Sequence, residues 1–130
     1  MKENKIKVLM VEPGKNPTET VLENNLSALQ RAVSIGASHK GLIEVVYLDS
    51  EVLILCNEEA KLIGLEGNRR VNGEIIAGVF YVVGGSSDGE FVSLTDKQFE
   101  RYKARFWEPE SYTQEEVEQS ACGGFFIFDP

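Results

Sequence analysis

Val52-Leu53-Ile54-Leu55-Cys56-Asn57-Glu58-Glu59-Ala60-Lys61-Leu62-Ile63-Gly64-Leu65, closed by Asn68-Arg69, is the stretch that decides the fold class. Val52 to Cys56 is a short unbroken apolar run, β-branched at two positions, and it stops at a polar Asn-Glu-Glu corner. A run of that length and composition reads as a buried strand. The corner that ends it carries no recognisable chemistry.

Upstream, Leu42 to Leu48 is a second β-rich run, joined to the first at Asp49-Ser50, which is a hairpin signal. Ile6 to Val11 reads as the first strand and ends at Glu12-Pro13-Gly14. Its apolar residues are consecutive, so both of its faces need cover and it belongs in the middle of a sheet. Lys15 to Thr20 reads as a loop and Val21-Leu22 as a short edge strand. Downstream, Lys61 to Leu65 is expected to add a short strand, Asn68 to Glu74 to be turn-rich, and Val79 to Val83 to form another strand. Gly84 to Gly89 turns the chain, so that Glu90-Phe91-Val92 returns antiparallel.

Two helices are expected. Asn24 or Asn25 caps the first, in which Leu26, Leu29 and Val33 recur at helical spacing, and Gly36 stops it. Thr95 and Gln98 form a capping box for the second, with Leu94 and Phe99 as its hydrophobic staple and Phe99, Tyr102 and Phe106 as its apolar stripe. Thr113 and Glu116 repeat the capping box ahead of a short helix from about Gln114 to Gln119. Gly123-Gly124 then breaks the chain before the apolar run Phe125-Phe126-Ile127-Phe128.

The expected fold is therefore α+β: a mostly antiparallel sheet of about five strands with both main helices on one face. The expected core is Val8, Met10, Val45, Leu53, Leu55, Val79, Tyr81 and Val83, covered by Leu26, Leu29, Val33, Phe99, Tyr102 and Phe106. Residues 1–107 form a single domain in this reading, and 108–130 an acidic extension.

Charge divides at the same place. The chain of 130 residues has a net charge of −8, and residues 108–130 hold six acids with no Lys or Arg. The remainder holds 15 acids against 13 bases, so the body is near neutral. No generally basic surface is available for phosphates, which disfavours nucleic acid as a partner. No apolar run approaches a membrane span and Ile6 to Val11 is too short for a signal peptide, so a cytoplasmic location is expected. Cys56 and Cys122 read as free thiols.

Candidate chemistry is sparse. His39, the one histidine that a catalytic triad would need, lies in a loop rich in small residues and reads as solvated; with one histidine and two distant cysteines a structural zinc site is not expected either. Asn57, Glu58, Glu59, Asn68 and Arg69 make the best polar candidate. Glu58 and Glu59, with Glu12 or Glu44, hold the carboxylates that acid–base work or Mg²⁺ requires, but nothing in the spacing fixes their convergence. Asn57 suits an Asx turn, and Arg69-Arg70 a solvated turn. Gly84 to Gly89 lacks the Lys-Ser/Thr ending of a phosphate loop. On the second helix Lys97, Arg101 and Arg105 recur every fourth residue as a basic stripe, which reads as a solvated face or, alternatively, as the place where the acidic tail docks in cis. With Phe125, Phe126 and Phe128 they are the candidate interaction surface. The terminal run either extends its own sheet or pairs with another subunit.

Val8 to Gly14, the helix around Leu26 and Leu29, Ile43-Glu44, Leu55 to Leu65, Asn68-Arg69, Ile76 to Phe80, Val83-Gly84 and Ser93-Leu94-Thr95-Asp96 occur in one order along a short chain. Together they resemble the family called domain of unknown function 3846, over about residues 5–107. The resemblance implies a small bacterial, phage or plasmid protein and an accessory role, in a mobile element. It implies no catalytic residue, because the family has no established activity.

The reading favoured by these residues is a non-enzymatic accessory or interaction domain with a protein partner, without cofactor or metal. Two alternatives stay open: an acidic mimic of nucleic acid that blocks a basic DNA-binding protein, and a carboxylate- and Mg²⁺-dependent hydrolase around Glu58, Glu59 and Glu44.

Overall fold

The computed structural model describes residues 3–122. The break expected at Gly123-Gly124 and the strand expected at Phe125 to Phe128 lie outside the described residues. In chain order the elements are β1 (Lys5–Val11), β2 (Thr18–Glu23), α1 (Leu26–Val33), β3 (Ile43–Tyr47), β4 (Val52–Asn57), β5 (Gly67–Val71), β6 (Glu74–Ala77), β7 (Phe80–Gly85), β8 (Phe91–Val92), α2 (Asp96–Arg105) and α3 (Gln114–Cys122). The fold is α+β. The main sheet is antiparallel throughout in the order β2-β1-β7-β4-β3, with β8 continuing alongside β7. The hairpin β5-β6 is a separate two-stranded sheet.

The expectation that both helices cover one face is corrected. Leu29 and Val33 of α1 pack on Ile6, Val8, Leu53, Leu55, Tyr81 and Val83. Phe99 and Tyr102 of α2, with Phe106 just beyond it, pack on Leu9, Val11, Val52, Ile54, Phe80 and Val82. These two sets alternate along β1, β4 and β7, so they lie on opposite faces. The physical reason is that the three central strands are apolar at consecutive positions, and every residue of β4 is buried. A strand with no polar face needs a layer on each side, and each Leu, Ile or Val side chain so buried contributes roughly 1.5–3 kcal/mol. Phe80 and Phe106 add an edge-to-face contact, centroids 5.3 Å apart.

Three further expectations change. Lys61 to Leu65 forms turns, not a strand. Asn68 to Glu74 is the hairpin β5-β6, turned at Asn72 (φ 52°) and Gly73 (φ 85°). Both positive φ values suit the mirror-image turns that match strand twist, which Asn-Gly favours. Val45 and Leu26, expected in the core, are exposed at 42% and 66%. Val45 sits on the edge strand β3 and Leu26 opens α1 at its rim. The remaining expected core positions are buried, with Met10 half-buried against the α1 side.

The expected caps form. Asn25 Oδ1 accepts from the Ala28 N–H, Thr95 and Gln98 exchange both bonds of a capping box, and Thr113 and Glu116 do the same. α3 then packs on β6, burying Val117 with Ala60, Ile75 and Ala77.

Candidate functional site

Asn68 and Arg69, singled out as polar candidates, are fully buried. The Asn68 amide donates to the carbonyls of Val11 (2.8 Å) and Gly78 (2.9 Å). Arg69 donates from Nε (3.1 Å) and Nη2 (2.9 Å) to the carbonyl of Phe106, from Nη2 to that of Lys15 (2.7 Å), and from Nη1 to Asn68 Oδ1 (2.7 Å). Phe106 caps the C-terminus of α2. That is the negative end of the helix dipole, where a cation is favoured. Burial lowers the pKa of the guanidinium, but an arginine stays charged at any such shift. The pair thus ties β1, β5, α2 and the Pro13-Gly14-Lys15 loop together. It presents no face to a ligand, and the expectation of Arg69 in a solvated turn is corrected. Arg70 alternates outward, over the Tyr112 ring.

A cleft of about 230 Å³ opens between the end of β4 and the hairpin, lined by Glu44, Cys56, Glu58, Lys61, Leu62, Glu74 and Ile76 among others. The register places Glu44 opposite Cys56. Lys61 Nζ pairs with Glu74 Oε2 at 2.6 Å. Glu44 has its pKa raised, first by burial of its carboxyl against the cleft and then by the Glu74 carboxylate. The Cys56 thiol is pushed up to about 12 by burial and by Glu44, so it is neutral at physiological pH. It donates weakly to the Glu44 carbonyl at 3.6 Å.

Of the predicted polar set only Asn57 and Glu58 line this cleft. Asn57 is buried and accepts from the Glu59 N–H at 2.8 Å, the Asx turn expected of it. Glu59 and the exposed His39 do not line it, and Glu12 is bound to Lys15 instead. Lys61 and Glu74 escaped the sequence reading. The Asn72-Gly73 dipeptide was the available signal, because a hairpin there folds Glu74 back towards Lys61. Among the described residues, no group of three or more His, Cys, Asp or Glu is placed to hold a metal ion.

The basic stripe of α2 is exposed at Lys97, Arg101 and Arg105. Arg101 reaches Asp49 at 4.0 Å and Arg105 lies over the Phe106 ring. The acidic segment does not dock there as far as it is described. Glu110 accepts from the Arg70 N–H, and α3 lies on β6.

The remaining feature is the outer edge of β3. Leu48 N–H donates to Val52 O and Glu58 N–H to Leu42 O, both at 2.9 Å. In an antiparallel ladder so anchored, the N–H and C=O of Ile43, Val45 and Tyr47 point away from β4. Among the described residues β3 pairs with β4 alone. The side chains beside it are also uncovered: Leu42, Val45 and Tyr47 are exposed at 57%, 42% and 63%. Val45 and Tyr47 share the α1 face with Leu55 and Leu53. A groove of about 270 Å³ lined by Leu26, Leu29, Ile43 and Phe91 continues this surface under α1. The opposite edge, β2, carries two acids, Glu19 and Glu23, where β3 carries one, Glu44, on the face away from α1.

The family described as Domain of unknown function (DUF3846) matches residues 6–107. The chain belongs to this family. No curated protein matches the chain, and no solved structure does. In this DUF3846 chain several of the residues that carry the likeness are joined by hydrogen bonds. Asn68 holds Val11 and Gly78, Arg69 holds the loop after Pro13-Gly14, and Ser93 Oγ accepts from the Lys7 N–H at 2.9 Å. They form an interior framework. α3 lies outside the matched segment yet packs on it through Val117. Among the described residues no helix is long and apolar enough to cross a membrane.

Proposed function

We propose that this chain is a non-enzymatic interaction domain that takes an extended apolar segment of a partner protein onto the outer edge of β3. One observation carries the reading: Ile43, Val45 and Tyr47 turn their backbone groups outward on an edge strand whose flanking side chains are apolar and exposed. Natural edges are guarded by charge, as β2 is by Glu19 and Glu23. β3 carries one acid, Glu44, and none on the α1 face, where Val45 and Tyr47 leave the edge open to strand addition, in which main-chain hydrogen bonds supply affinity and alternate side chains supply choice of partner. An accessory role in a mobile element, in the cytoplasm, is part of this proposal and rests on the family likeness. The test is a photo-crosslinking amino acid at Tyr47, with Glu19 as control, in the host cell. The expected result is a discrete protein adduct from position 47 alone, mapped to an extended apolar segment. Equal adducts from both positions, or none, contradict the reading.

A second reading has its own observation, the raised pKa of Glu44 in a cleft. A raised pKa keeps a carboxyl's proton to higher pH, the direction a general acid needs. The rest of the cleft gives it little help, because Lys61 is engaged by Glu74 and the Cys56 thiol is not activated. Screening the protein and its Glu44→Gln variant against ester, amide and phosphoester substrates decides it. Turnover lost in the variant would favour this reading over the first.

A further inference from the structure

The outer edge of β3 is complementary to itself. Its outward backbone groups belong to Ile43, Val45 and Tyr47. An antiparallel copy of the strand, turned about Val45, therefore sets Val45 against Val45 and Ile43 against Tyr47 as hydrogen-bonded pairs. Each such pair exchanges two main-chain bonds, about six in all. On the α1 face this pairing brings together side chains that one chain leaves bare, since Val45 and Tyr47 are exposed and Ile43 is half-buried. An aromatic ring opposite a β-branched residue is a favourable cross-strand pair.

The other face selects the register. It carries Leu42, Glu44, Val46 and Leu48. With Val45 at the centre, Leu42 meets Leu48 and Glu44 meets Val46, so the one acid of β3 does not face its own copy. Moving the centre to Glu44 would set two carboxyls directly opposite, which is destabilising. Moving it to Val46 would set Ile43 against Asp49, past the end of β3, and lose a pair.

The ends of the strand agree with the same centre. Lys40 precedes β3, and Asp49 and Glu51 follow it. Turned about Val45, Lys40 of each copy comes across from Ser50 of the other, between Asp49 and Glu51. Opposite charges thus meet at both ends of the interface, where they favour the antiparallel arrangement.

We infer that the occupant of the β3 edge is a second copy of this chain, joined by antiparallel β3–β3 pairing about Val45 into one continuous sheet. The inference rests on the reading of that edge as a strand acceptor, and it names the partner.

The test is sedimentation equilibrium on the full chain, on its Val45→Lys and Val45→Asp variants, and on an equimolar mixture of the two variants. Val45 is exposed, so the folded chain accommodates either charge, and an unchanged circular dichroism spectrum checks this. The full chain is expected to form a concentration-dependent dimer. Each variant alone sets like charges on the two-fold axis and should raise the dissociation constant at least ~10-fold. The mixture sets Lys against Asp on that axis and should recover most of the loss, which a contact elsewhere on the surface would not do. A full chain that stays monomeric overturns the inference. So does a dimer that neither variant weakens, or a mixture no tighter than the variants alone. Crosslinking at Tyr47 is read separately. An adduct between two copies supports both readings. An adduct with a different protein, from a chain that stays monomeric, leaves the acceptor reading standing without this one.

Discussion

Arg69 directs its guanidinium at backbone carbonyls where a buried cation usually meets a carboxylate. Two of its nitrogens converge on the Phe106 carbonyl at the end of α2, and one of them also takes that of Lys15. Removing it leaves those acceptors buried without donors, at a cost of roughly 1.5–3 kcal/mol for a charge-assisted bond. Arg69→Met is therefore expected to lower unfolding free energy by about 3 kcal/mol in urea titrations. Arg69→Lys should recover less than half of that, because an ammonium lacks the planar fork that reaches both carbonyls. A loss under ~1 kcal/mol for the methionine variant contradicts the assignment. An Arg-Arg pair is polar on its face and by itself suits a solvated turn. In β5 Arg69 is interior and Arg70 faces solvent, and a register irregularity between Gly67 and Arg69 leaves Asn68 interior as well. Asn72-Gly73 announces that hairpin locally. The α2 carbonyls that hold Arg69 come from 37 residues away, and no local pattern reports them.

At the scale of elements, α2 and α3 were legible from their ends inward. Capping boxes are local, so Thr95 with Gln98 and Thr113 with Glu116 are written in four consecutive residues each. Which face a helix covers is not local, and there the expectation of a one-sided sheet failed. The consecutive apolar residues of β1, β4 and β7 require two layers. α2 is further held to the β3–β4 turn, where the Tyr102 hydroxyl donates to the Asp49 carboxylate. That bond, and to a lesser degree backbone donors, holds the Asp49 carboxyl below its ordinary 3.8. A depressed folded-state pKa contributes stability that is present above about 3.8 and lost as pH falls through the folded value. Tyr102→Phe should thus cost about 1 kcal/mol at pH 7, discounted for a partly exposed carboxylate, and progressively less below pH 3.8. Denaturant titrations of both proteins across that range measure it. A difference independent of pH contradicts the bond. α3 depends on Gly67, where an added Cβ would meet Val117 Cγ2 at 2.8 Å and Tyr112 Cβ at 3.1 Å. Gly67→Ala is expected to cost ~1–3 kcal/mol by overpacking and to expose residues 110–120 to limited proteolysis. An unchanged cleavage pattern and midpoint contradict this docking.

For the molecule as a whole, the framework and the surface answer different questions. Of the motifs of the family likeness, Val8 to Gly14, Asn68-Arg69 and Ile76 to Phe80 meet in the interior, whereas Ile43-Glu44 lies on the β3 edge. The surface that distinguishes one side of the protein from the other is the edge of β3. Its legibility was partial. Leu42 to Leu48 reads as a strand, but strand order decides whether Val45 is core or surface, and order follows from long-range pairing that residue patterns do not state. The polar cluster at Asn57 and Glu58 was visible, whereas its companions Lys61 and Glu74 depended on the unread hairpin. The most direct measurement is the yield of the crosslinked adduct from position 47 when Val45→Lys is also present. A lysine on an edge strand blocks pairing while, at an exposed position, it alters stability by no more than ~0.5 kcal/mol. The prediction is a fall of at least ~10-fold in adduct, equivalent to about 1.4 kcal/mol in binding, with an unchanged denaturation midpoint. An undiminished adduct from the lysine variant would contradict strand addition at β3.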